Sequence, residues 1–410
     1  MKIAIVGAGI AGMTTAYELA RDGHDITVFE KRSAVAEEAS FATGSLLAPL
    51  LPSAWALPGF GQPLRMWGAD ATLRMKGGLS MAHLAWLRRW RQTALRKKAP
   101  AMALEALARY SQTRLEAMAA RHELDFEAVN GRLLLLRNEA ELAAIEPALQ
   151  ILRDTGHAVH QITPEAARKL EPGLHPETLL AAALHIPGAS AGNCRLFAHM
   201  LRQAIQGLGV TFELNATVER ISSNPVAITV RGDTQARRFD AVVLCTGSAP
   251  AALMSPLGLV LPLVALHGYT VSAPLREATH APVASVTDVA QHINITRLGQ
   301  RVRVAGGAEL AGPGAAHHAP TLQRLYSAVN EWFPGGVQLS AGVQIWRGAR
   351  WMTPDGAPVI GASGIPGIWL NLAHGSHGWA LACGSARATA DLIAQRAPEV
   401  SLEGLGMRRF

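Results

Sequence analysis

The sequence has few cysteines and no apolar run long enough to cross a bilayer. Cys194, Cys245 and Cys383 are far apart, without a C-x-x-C pair or histidines at ligand spacing, so we predict three core residues. This spacing argues against a disulfide framework, a zinc site or an iron–sulfur cluster. No stretch approaches the roughly 20 apolar residues of a membrane span, and no charged-then-apolar leader opens the chain. We therefore predict a cytoplasmic protein, and leave open contact with the inner face of the cell membrane.

Composition predicts a folded protein of more than one domain. Of the 410 residues, 49% are hydrophobic and 17% are charged, with a formal net charge of +7. The positive charge is concentrated between Arg65 and Lys98, where Trp67, Trp86 and Trp90 are interleaved. This stretch suits an anionic membrane surface, or a domain helix whose apolar face packs inward and whose basic face is solvated. Nucleic acid is the least favoured partner, because no recognised nucleic-acid-binding fold accompanies the charge.

The first 32 residues have the pattern of a dinucleotide-binding unit. The pattern is strand, glycine turn, helix and strand: Lys2 to Val6, Gly7-Ala8-Gly9-Ile10-Ala11-Gly12, Met13 to Asp22, and Asp25 to Phe29. In such a unit Gly7 permits the tight turn, Gly9 lets the backbone approach a pyrophosphate, and Gly12 lets helix and strand pack closely. Glu30 follows the second strand, where a carboxylate can accept hydrogen bonds from an adenosine ribose. The alternative is an ordinary βαβ turn.

Three later stretches are predicted to return to the same nucleotide. The small and polar residues from Ser33 to Ser45 could cover its middle, or form a plain loop. The apolar strand 240–245 ends in Thr246-Gly247, where a second glycine contact would fall. A glycine-rich turn from His374 to Trp379 precedes a helix, so its N–H groups could face a flavin ring and stabilise negative charge on it.

The order of elements predicts an α/β protein with a discontinuous Rossmann-like domain that binds a dinucleotide, and a second, mostly antiparallel α+β domain that forms the wall of a substrate pocket. We assign residues 1–60, 186–256 and 345–410 to the first domain, and residues 61–185 and 257–344 to the second. Pro147 is expected to bend or interrupt a helix over 139–155. The pair His317-His318 has no acid or cysteine at ligand spacing, so we predict no metal site.

Blocks along nearly the whole chain resemble the FAD-dependent D-amino-acid dehydrogenase family, within the wider D-amino-acid oxidase fold group. The opening fingerprint is shared by many flavoproteins, whereas the Trp-Ala-x-Pro-Gly segment and the C-terminal blocks are far more particular. The blocks are Ile3 to Glu30, Ala39 to Pro49, Trp55-Ala56-Leu57-Pro58-Gly59, Asn130 to Leu136, His267-Gly268-Tyr269, Ala305 to Glu309, Thr353-Pro354-Asp355-Gly356 and His374 to Gly384.

The resemblance implies FAD as cofactor and a site built from both ends of the chain. It implies that Arg350 pairs with the substrate carboxylate, and that Tyr269 and His374 shape the pocket or hydrogen-bond the substrate. The residues expected to hold FAD are Gly7, Ala8, Gly9, Ile10, Ala11, Gly12, Glu30, Lys31, Arg32, Ser40, Ala42, Thr43, Gly44, Ser45, Leu46, Val218, Thr246, Gly247, Gly348, Gly375, Ser376, His377, Gly378 and Trp379. A surface or cofactor-side position for Arg350 is the alternative, and core packing is the alternative for Tyr269 and His374.

The implied reaction is hydride transfer from the Cα of a D-amino acid to flavin N5, giving a 2-oxo acid and ammonia after hydrolysis. Electrons would pass to a membrane quinone. The chain departs from the family pattern at Trp351, His377, His267 and Asn193, so side-chain preference is the least transferable property.

Three alternative functions use the same fingerprint. An oxygen-using oxidase of glycine, a secondary amine or a cyclic imino acid has the same fold. A pyridine-nucleotide flavoprotein is disfavoured, because the sequence has no second G-x-G-x-x-G and no redox cysteine pair. A non-catalytic module resembling GDP-dissociation inhibitors of prenylated GTPases would bind no flavin, so it would purify colourless.

Overall fold

The structure is a computed structural model that describes residues 1–50, 73–75, 80–93, 99–247, 250–310 and 315–410. The Trp55 to Gly59 block and part of the basic stretch between Arg65 and Lys98 lie outside the described residues. The strands are β1 Lys2–Val6, β2 Asp25–Phe29, β3 Arg74–Met75, β4 Val129–Leu136, β5 His160–Ile162, β6 Ala182–Ala191, β7 Thr211–Glu213, β8 Val218–Ser223, β9 Val226–Val230, β10 Arg237–Arg238, β11 Ala241–Leu244, β12 Val264–Pro274, β13 Ser285–Asp288, β14 Ile293–Leu298, β15 Arg301–Leu310, β16 Gln344–Met352, β17 Val359–Ala362 and β18 Ile368–Leu372. The helices are α1 Ile10–Arg21, α2 Met81–Thr93, α3 Ala99–His122, α4 Glu139–Asp154, α5 Pro164–Leu170, α6 Cys194–Gln206, α7 Pro250–Met254, α8 Ala319–Trp332 and α9 Gly378–Ile393.

A mainly parallel sheet forms the base of the molecule. Its strand order in the described residues is β17-β18-β11-β1-β2-β7, with β17 antiparallel to β18 and the other neighbours parallel. Four of its strands are short apolar runs, as expected for strands buried on both faces; α1, α6 and α9 cover one face, and β8 and β9 of a separate small sheet pack on the other. This sheet draws on the beginning, middle and end of the chain, and confirms the predicted α/β fold class.

A larger sheet, with order β16-β12-β15-β14-β13-β4-β6-β5 in the described residues and with β3 beside β15, stands over the first. Most of its neighbours are antiparallel, although β13 runs parallel to β4. One face packs on α8 through an apolar core that includes Leu133, Val271 and Trp332. Alternate residues therefore point to the opposite face, toward the first sheet.

The structure tests several predictions about single residues. The three cysteines are free and buried, as predicted. Thr163 caps α5 by accepting a hydrogen bond from the Ala166 N–H. The expected bend at Pro147 stays a prediction, and the alternative of an interruption is wrong, because α4 runs continuously from Glu139 to Asp154. Tertiary packing of its apolar face, in which Leu149 and Leu152 are fully buried, outweighs the lost hydrogen bond.

The described part of the basic, tryptophan-rich stretch is helix α2. Trp86 and Trp90 are buried, and the Trp86 indole N–H donates to the Met352 carbonyl at 3.0 Å. Arg88, Arg89 and Arg91 are exposed. The tryptophan face thus packs inward, as the domain-helix alternative predicts. None of the helices in the described ranges is long and apolar enough to span a membrane.

Candidate functional site

Two cavities of about 460 Å³ and about 250 Å³ form one continuous groove between the two large sheets. The larger, here called the first cavity, lies over the carboxyl ends of β1, β2 and β11. The smaller, the second cavity, lies against the larger sheet. Both cavities are lined by the same six residues at their junction: Ile10, Ala39, Ser40, Arg350, Gly375 and Gly378.

The glycine turn after β1 is shaped by its own backbone contacts. Gly7 has a φ of +105°, a conformation in which a side chain would be strained, and a Cβ on it would lie 2.9 Å from the Cys245 carbonyl oxygen. A Cβ on Gly12 would lie 1.9 Å from the Gly7 carbonyl oxygen, so only glycine fits there. A Cβ on Gly9 would meet only Ser40 Oγ, at 3.4 Å, and the backbone beside it is open to the first cavity.

Glu30 is held at the end of β2 by two backbone donors. The Ala8 N–H donates to Glu30 Oε2 at 2.8 Å, and the Arg32 N–H donates to Oε1 at 2.9 Å. The carboxylate is 8% exposed and lines the first cavity. It is therefore fixed before any ligand binds, at the place where the sequence pattern predicts a ribose contact.

The structure places most of the predicted site residues along the groove. Those in the first cavity are Gly7, Gly9, Ile10, Ala11, Glu30, Lys31, Ser40, Val218, Thr246, Gly247, Arg350, His374, Gly375 and Gly378. Those in the second cavity are Ile10, Ser40, Ala42, Thr43, Gly44, Ser45, Leu46, Tyr269, Gly348, Arg350, Gly375, Ser376, His377, Gly378 and Trp379.

Three predicted cofactor residues lie outside both linings. Ala8 acts through its N–H on Glu30, and Gly12 acts in packing α1 against the turn. The Arg32 side chain points to solvent and pairs with Glu38 at 2.6 Å. These positions support the groove from behind, and their side chains do not face it.

Buried polar groups without hydrogen-bond partners indicate the kind of ligand that the groove binds. The hydroxyls of Thr246, Ser45, Thr270 and Ser376 are buried and have no hydrogen-bond partner. All four residues line one of the two cavities. Buried polar groups are almost always paired in native proteins, so unpaired ones along a cavity indicate a polar ligand. An elongated dinucleotide with a polar ring system fits this distribution.

Arg350 lies at the junction of the cavities, on β16. Its Nη2 donates to the Gly307 carbonyl at 2.9 Å, while its buried Nε has no partner. Burial lowers its pKa to about 10, which still leaves the guanidinium charged at neutral pH. Gly268 makes room for it, because a Cβ there would lie 2.6 Å from Nη2 and 2.9 Å from Cζ. The arginine is thus held in place, with donors free for an anion.

The hydroxyl of Tyr269 is already engaged by the protein. It donates to Glu309 Oε2 at 3.0 Å and accepts from the His318 N–H at 3.0 Å. Glu309 also pairs with Arg347 at 3.1 Å. The Tyr269 ring therefore shapes the cavity, and its hydroxyl hydrogen is directed to Glu309.

The two histidines of the C-terminal turn are kept neutral. Burial lowers the pKa of His374 to about 4, and its Nε2 lies 3.0 Å from Ser385 Oγ. Burial also lowers the pKa of His377 to about 4, with smaller contributions from the guanidinium groups of Arg350 and Arg132. Neither side chain is therefore a cation at neutral pH.

Sequence reasoning missed the polar residues of the larger sheet, and of its turn between β13 and β14, that line the second cavity. These are Arg132, Thr270, Thr287, His292 and Asn294. Arg132 carried a usable signal, because it is a charged residue at the start of the apolar run Arg132 to Leu136. The others have no local signature, since strand pairing alone brings them together. In the described ranges, potential metal ligands nowhere form a group of three.

Comparisons with known proteins give one family over almost the whole chain. The model of the DAO family, described as FAD dependent oxidoreductase, matches residues 2–392. A D-amino acid dehydrogenase of Cereibacter sphaeroides is 38% identical over 100% of this chain and 95% of the relative. Another from Vibrio cholerae is 32% identical over 100% of this chain and 99% of the relative.

Solved structures share the fold at lower identity. Glycine oxidase from Geobacillus kaustophilus has a TM-score of 0.75 at 21% identity, covering 100% of this chain and 98% of that one. L-proline dehydrogenase from P. horikoshii has a TM-score of 0.75 at 17% identity, covering 100% and 97%. At these identities the likeness establishes the fold alone.

Proposed function

Because the chain belongs to the DAO family of FAD-dependent oxidoreductases, we propose that it oxidatively deaminates a D-amino acid to a 2-oxo acid and ammonia. The D-amino acid dehydrogenases to which it is similar over its full length support this choice of substrate. The observation that carries the proposal is Arg350, a guanidinium with a free buried donor at the junction of the two cavities.

FAD is the cofactor, and when bound it supplies the two-electron acceptor for the Cα–H bond. We assign its adenosine and pyrophosphate to the first cavity, with Glu30 at the ribose and the Gly7 to Gly12 turn at the phosphates. Ser45, Ser376 and the start of α9 would hold its ring system, since they line the second cavity and the two serine hydroxyls have no partner in the protein. The predicted division of the chain into two domains is part of this proposal.

The chain's own residues bind and orient the amino acid. Arg350 would pair with the α-carboxylate, because a planar guanidinium fork matches a planar carboxylate. Among the described residues that line the second cavity there is no aspartate or glutamate to act as a general base. The substrate therefore reacts as the neutral amine, whose lone pair assists loss of hydride, and nearby guanidinium charge lowers the pKa of its ammonium group.

Replacing Arg350 with alanine tests this assignment. Loss of a charge-assisted hydrogen bond costs roughly 1.5–3 kcal/mol, so kcat/KM for D-amino acids should fall about 10- to 150-fold. Arg303→Ala is a matched control, since Arg303 is a buried arginine of the same sheet that lines neither cavity. Turnover within about threefold of wild type for Arg350→Ala would remove the carboxylate assignment.

We propose a quinone-type acceptor for the electrons, because the full-length relatives are named dehydrogenases. Steady-state assays with oxygen and with a soluble quinone analogue separate this from an oxidase. Faster turnover with the quinone analogue supports the proposal. Equal or faster turnover with oxygen would instead favour an oxidase of glycine, a secondary amine or a cyclic imino acid.

We also propose that α2 touches an anionic membrane surface at the cytoplasmic side. Its exposed residues include Met81 and Leu84 together with Arg88, Arg89 and Arg91. Flotation with vesicles containing anionic lipid should recover the wild type, and recover less of an R88Q/R89Q/R91Q variant. Equal recovery of both proteins would contradict this contact.

A further inference from the structure

We infer that the second cavity selects amino acids carrying a second carboxylate, and that Arg132 binds that distal carboxylate. The inference rests on the proposed function, in which Arg350 takes the α-carboxylate. It names acidic D-amino acids, such as D-aspartate and D-glutamate, as the substrate class.

Arg132 is a buried arginine on the wall of the second cavity. It lies on β4 and is 7% exposed. Its Nε donates to Thr287 Oγ1 at 3.0 Å, and its Nη2 lies 3.4 Å from Asn294 Oδ1. Thr287 Oγ1 itself donates to Asn294 Oδ1 at 2.7 Å. A guanidinium has five N–H donors, so two neutral oxygens hold this side chain in position without using up its donors.

Two other arginines of low exposure are neutralised by carboxylates, whereas Arg303 is buried without an ion pair among the described residues and lines neither cavity. Arg137 pairs with Asp288 at 2.8 Å and with Glu331 at 2.6 Å. Arg387 pairs with Glu18 at 2.9 Å, among other acids. Arg132 forms no ion pair with any carboxylate of the described residues. Because an unpaired buried charge is costly, Arg132 would stabilise an anion bound in the cavity that it lines.

The charge of the second cavity calls for two anionic groups. Its described lining contains Arg132 and Arg350 and no acidic residue. Burial lowers the pKa of Arg132 to about 10, so it stays charged at neutral pH. Arg350 reaches the Gly307 carbonyl on β15 and Arg132 reaches Asn294 on the neighbouring strand β14, which places both guanidinium groups at one part of the second cavity. An α-carboxylate neutralises one of these charges, and the other remains for a second carboxylate.

The position of Arg132 favours substrate over cofactor as its partner. Arg132, Thr287 and Asn294 lie on β4, β13 and β14, and Arg350 lies on β16 of the same sheet. The residues that we assign to the flavin lie instead in the 40–46 loop and the 375–379 turn. A dicarboxylate bound along this sheet would meet one arginine at each end. An effect of Arg132 on the cofactor itself is an outcome that the experiment detects.

The test compares isosteric substrates that differ only in the distal charge. We expect the wild type to prefer D-glutamate to D-glutamine, or D-aspartate to D-asparagine, by at least about tenfold in kcat/KM, as a charge-assisted hydrogen bond implies. Arg132→Gln should remove this preference, and Arg132→Lys should restore part of it. Arg303→Gln controls for loss of a buried arginine outside the cavity, and should keep the preference.

Binding of unreactive acids gives a second readout. Glutarate should perturb the flavin absorbance of the wild type at a concentration at least about tenfold lower than valerate does. In Arg132→Gln the two acids should act at about the same concentration. Equal wild-type kcat/KM for acid and amide substrates, or equal affinity for glutarate and valerate, would overturn the inference. So would an Arg132→Gln variant that shifts the flavin reduction potential while keeping the preference, because Arg132 would then act on the cofactor.

Failure of the inference can be told apart from failure of the proposed function. If D-alanine, D-methionine and the amides reduce the flavin as well as the acids do, only the dicarboxylate assignment is wrong. If no D-amino acid reduces the flavin, the proposed function is wrong, and the glutarate and valerate affinities still decide whether Arg132 binds a second carboxylate.

Discussion

The two cavities of the groove are built in opposite ways. The first cavity is formed largely by backbone: a glycine turn, strand ends, and Glu30 fixed by two N–H groups. The second is formed by side chains from separate strands, with two arginines and no acid in its described lining. We assign the adenosine and pyrophosphate of FAD to the first cavity, and its ring system and the substrate to the second.

The largest effect should come from a substitution beside the first cavity, which is formed largely by backbone. Gly12→Ala places a Cβ 1.9 Å from the Gly7 carbonyl oxygen, in rigid backbone that cannot give way. We expect loss of bound FAD and of most soluble protein, measured by the flavin-to-protein absorbance ratio. Gly188→Ala is the control, because a Cβ there meets nothing within 4 Å. Normal flavin content in Gly12→Ala would contradict the packing role of this glycine.

We expect a smaller effect from a substitution beside the second cavity, which is formed by side chains. Gly268→Ala puts a Cβ 2.6 Å from Arg350 Nη2, so the guanidinium must move away from its bond to Gly307. We expect kcat/KM for D-amino acids to fall roughly tenfold, equivalent to about 1.4 kcal/mol, while the flavin content stays normal. Loss of flavin together with activity would show that a change in the second cavity also impairs cofactor binding.

The buried histidines predict how stability depends on pH. His374 and His267 have pKa values lowered to about 4, mainly by burial. Between that value and the ordinary histidine pKa of about 6.5, the unfolded chain binds protons that the folded chain does not. The free energy of unfolding should therefore fall as pH drops from about 6.5 toward 4, by up to roughly 1.4 kcal/mol per pH unit for each histidine.

Urea unfolding at a series of pH values measures this slope. His374→Gln should make the slope shallower, whereas His160→Gln, at an exposed position, should leave it unchanged. Equal slopes in all three proteins would mean that His374 is protonated in the folded state.

The smallest expected effect on activity is at Tyr269. Because its hydroxyl donates to Glu309, Tyr269→Phe should lower the free energy of unfolding by about 1–2 kcal/mol and change kcat less than about threefold. A fall in kcat larger than about tenfold at unchanged stability would show that the hydroxyl contacts the substrate.

The difference between the cavities also explains what could be predicted from the sequence. The glycine turn, Glu30 and the 375–379 turn each lie in one short segment, so local patterns placed them on the groove. Arg132 is more than 150 residues of chain away from Thr287 and Asn294 and meets them only through strand pairing. No local pattern predicts such a meeting, and the residues that we propose to set substrate choice were missed for that reason. The interruption considered at Pro147 does not occur, because residue propensity acts locally whereas packing involves the whole fold.

Anaerobic mixing of the purified flavoprotein with matched D- and L-amino acids tests the central claim most directly. The claim predicts that D-enantiomers bleach the flavin absorbance of the wild type, that L-enantiomers do not, and that bleaching is slowed at least about tenfold in Arg350→Ala. Bleaching by L-enantiomers alone, or bleaching at an equal rate in Arg350→Ala, would contradict it.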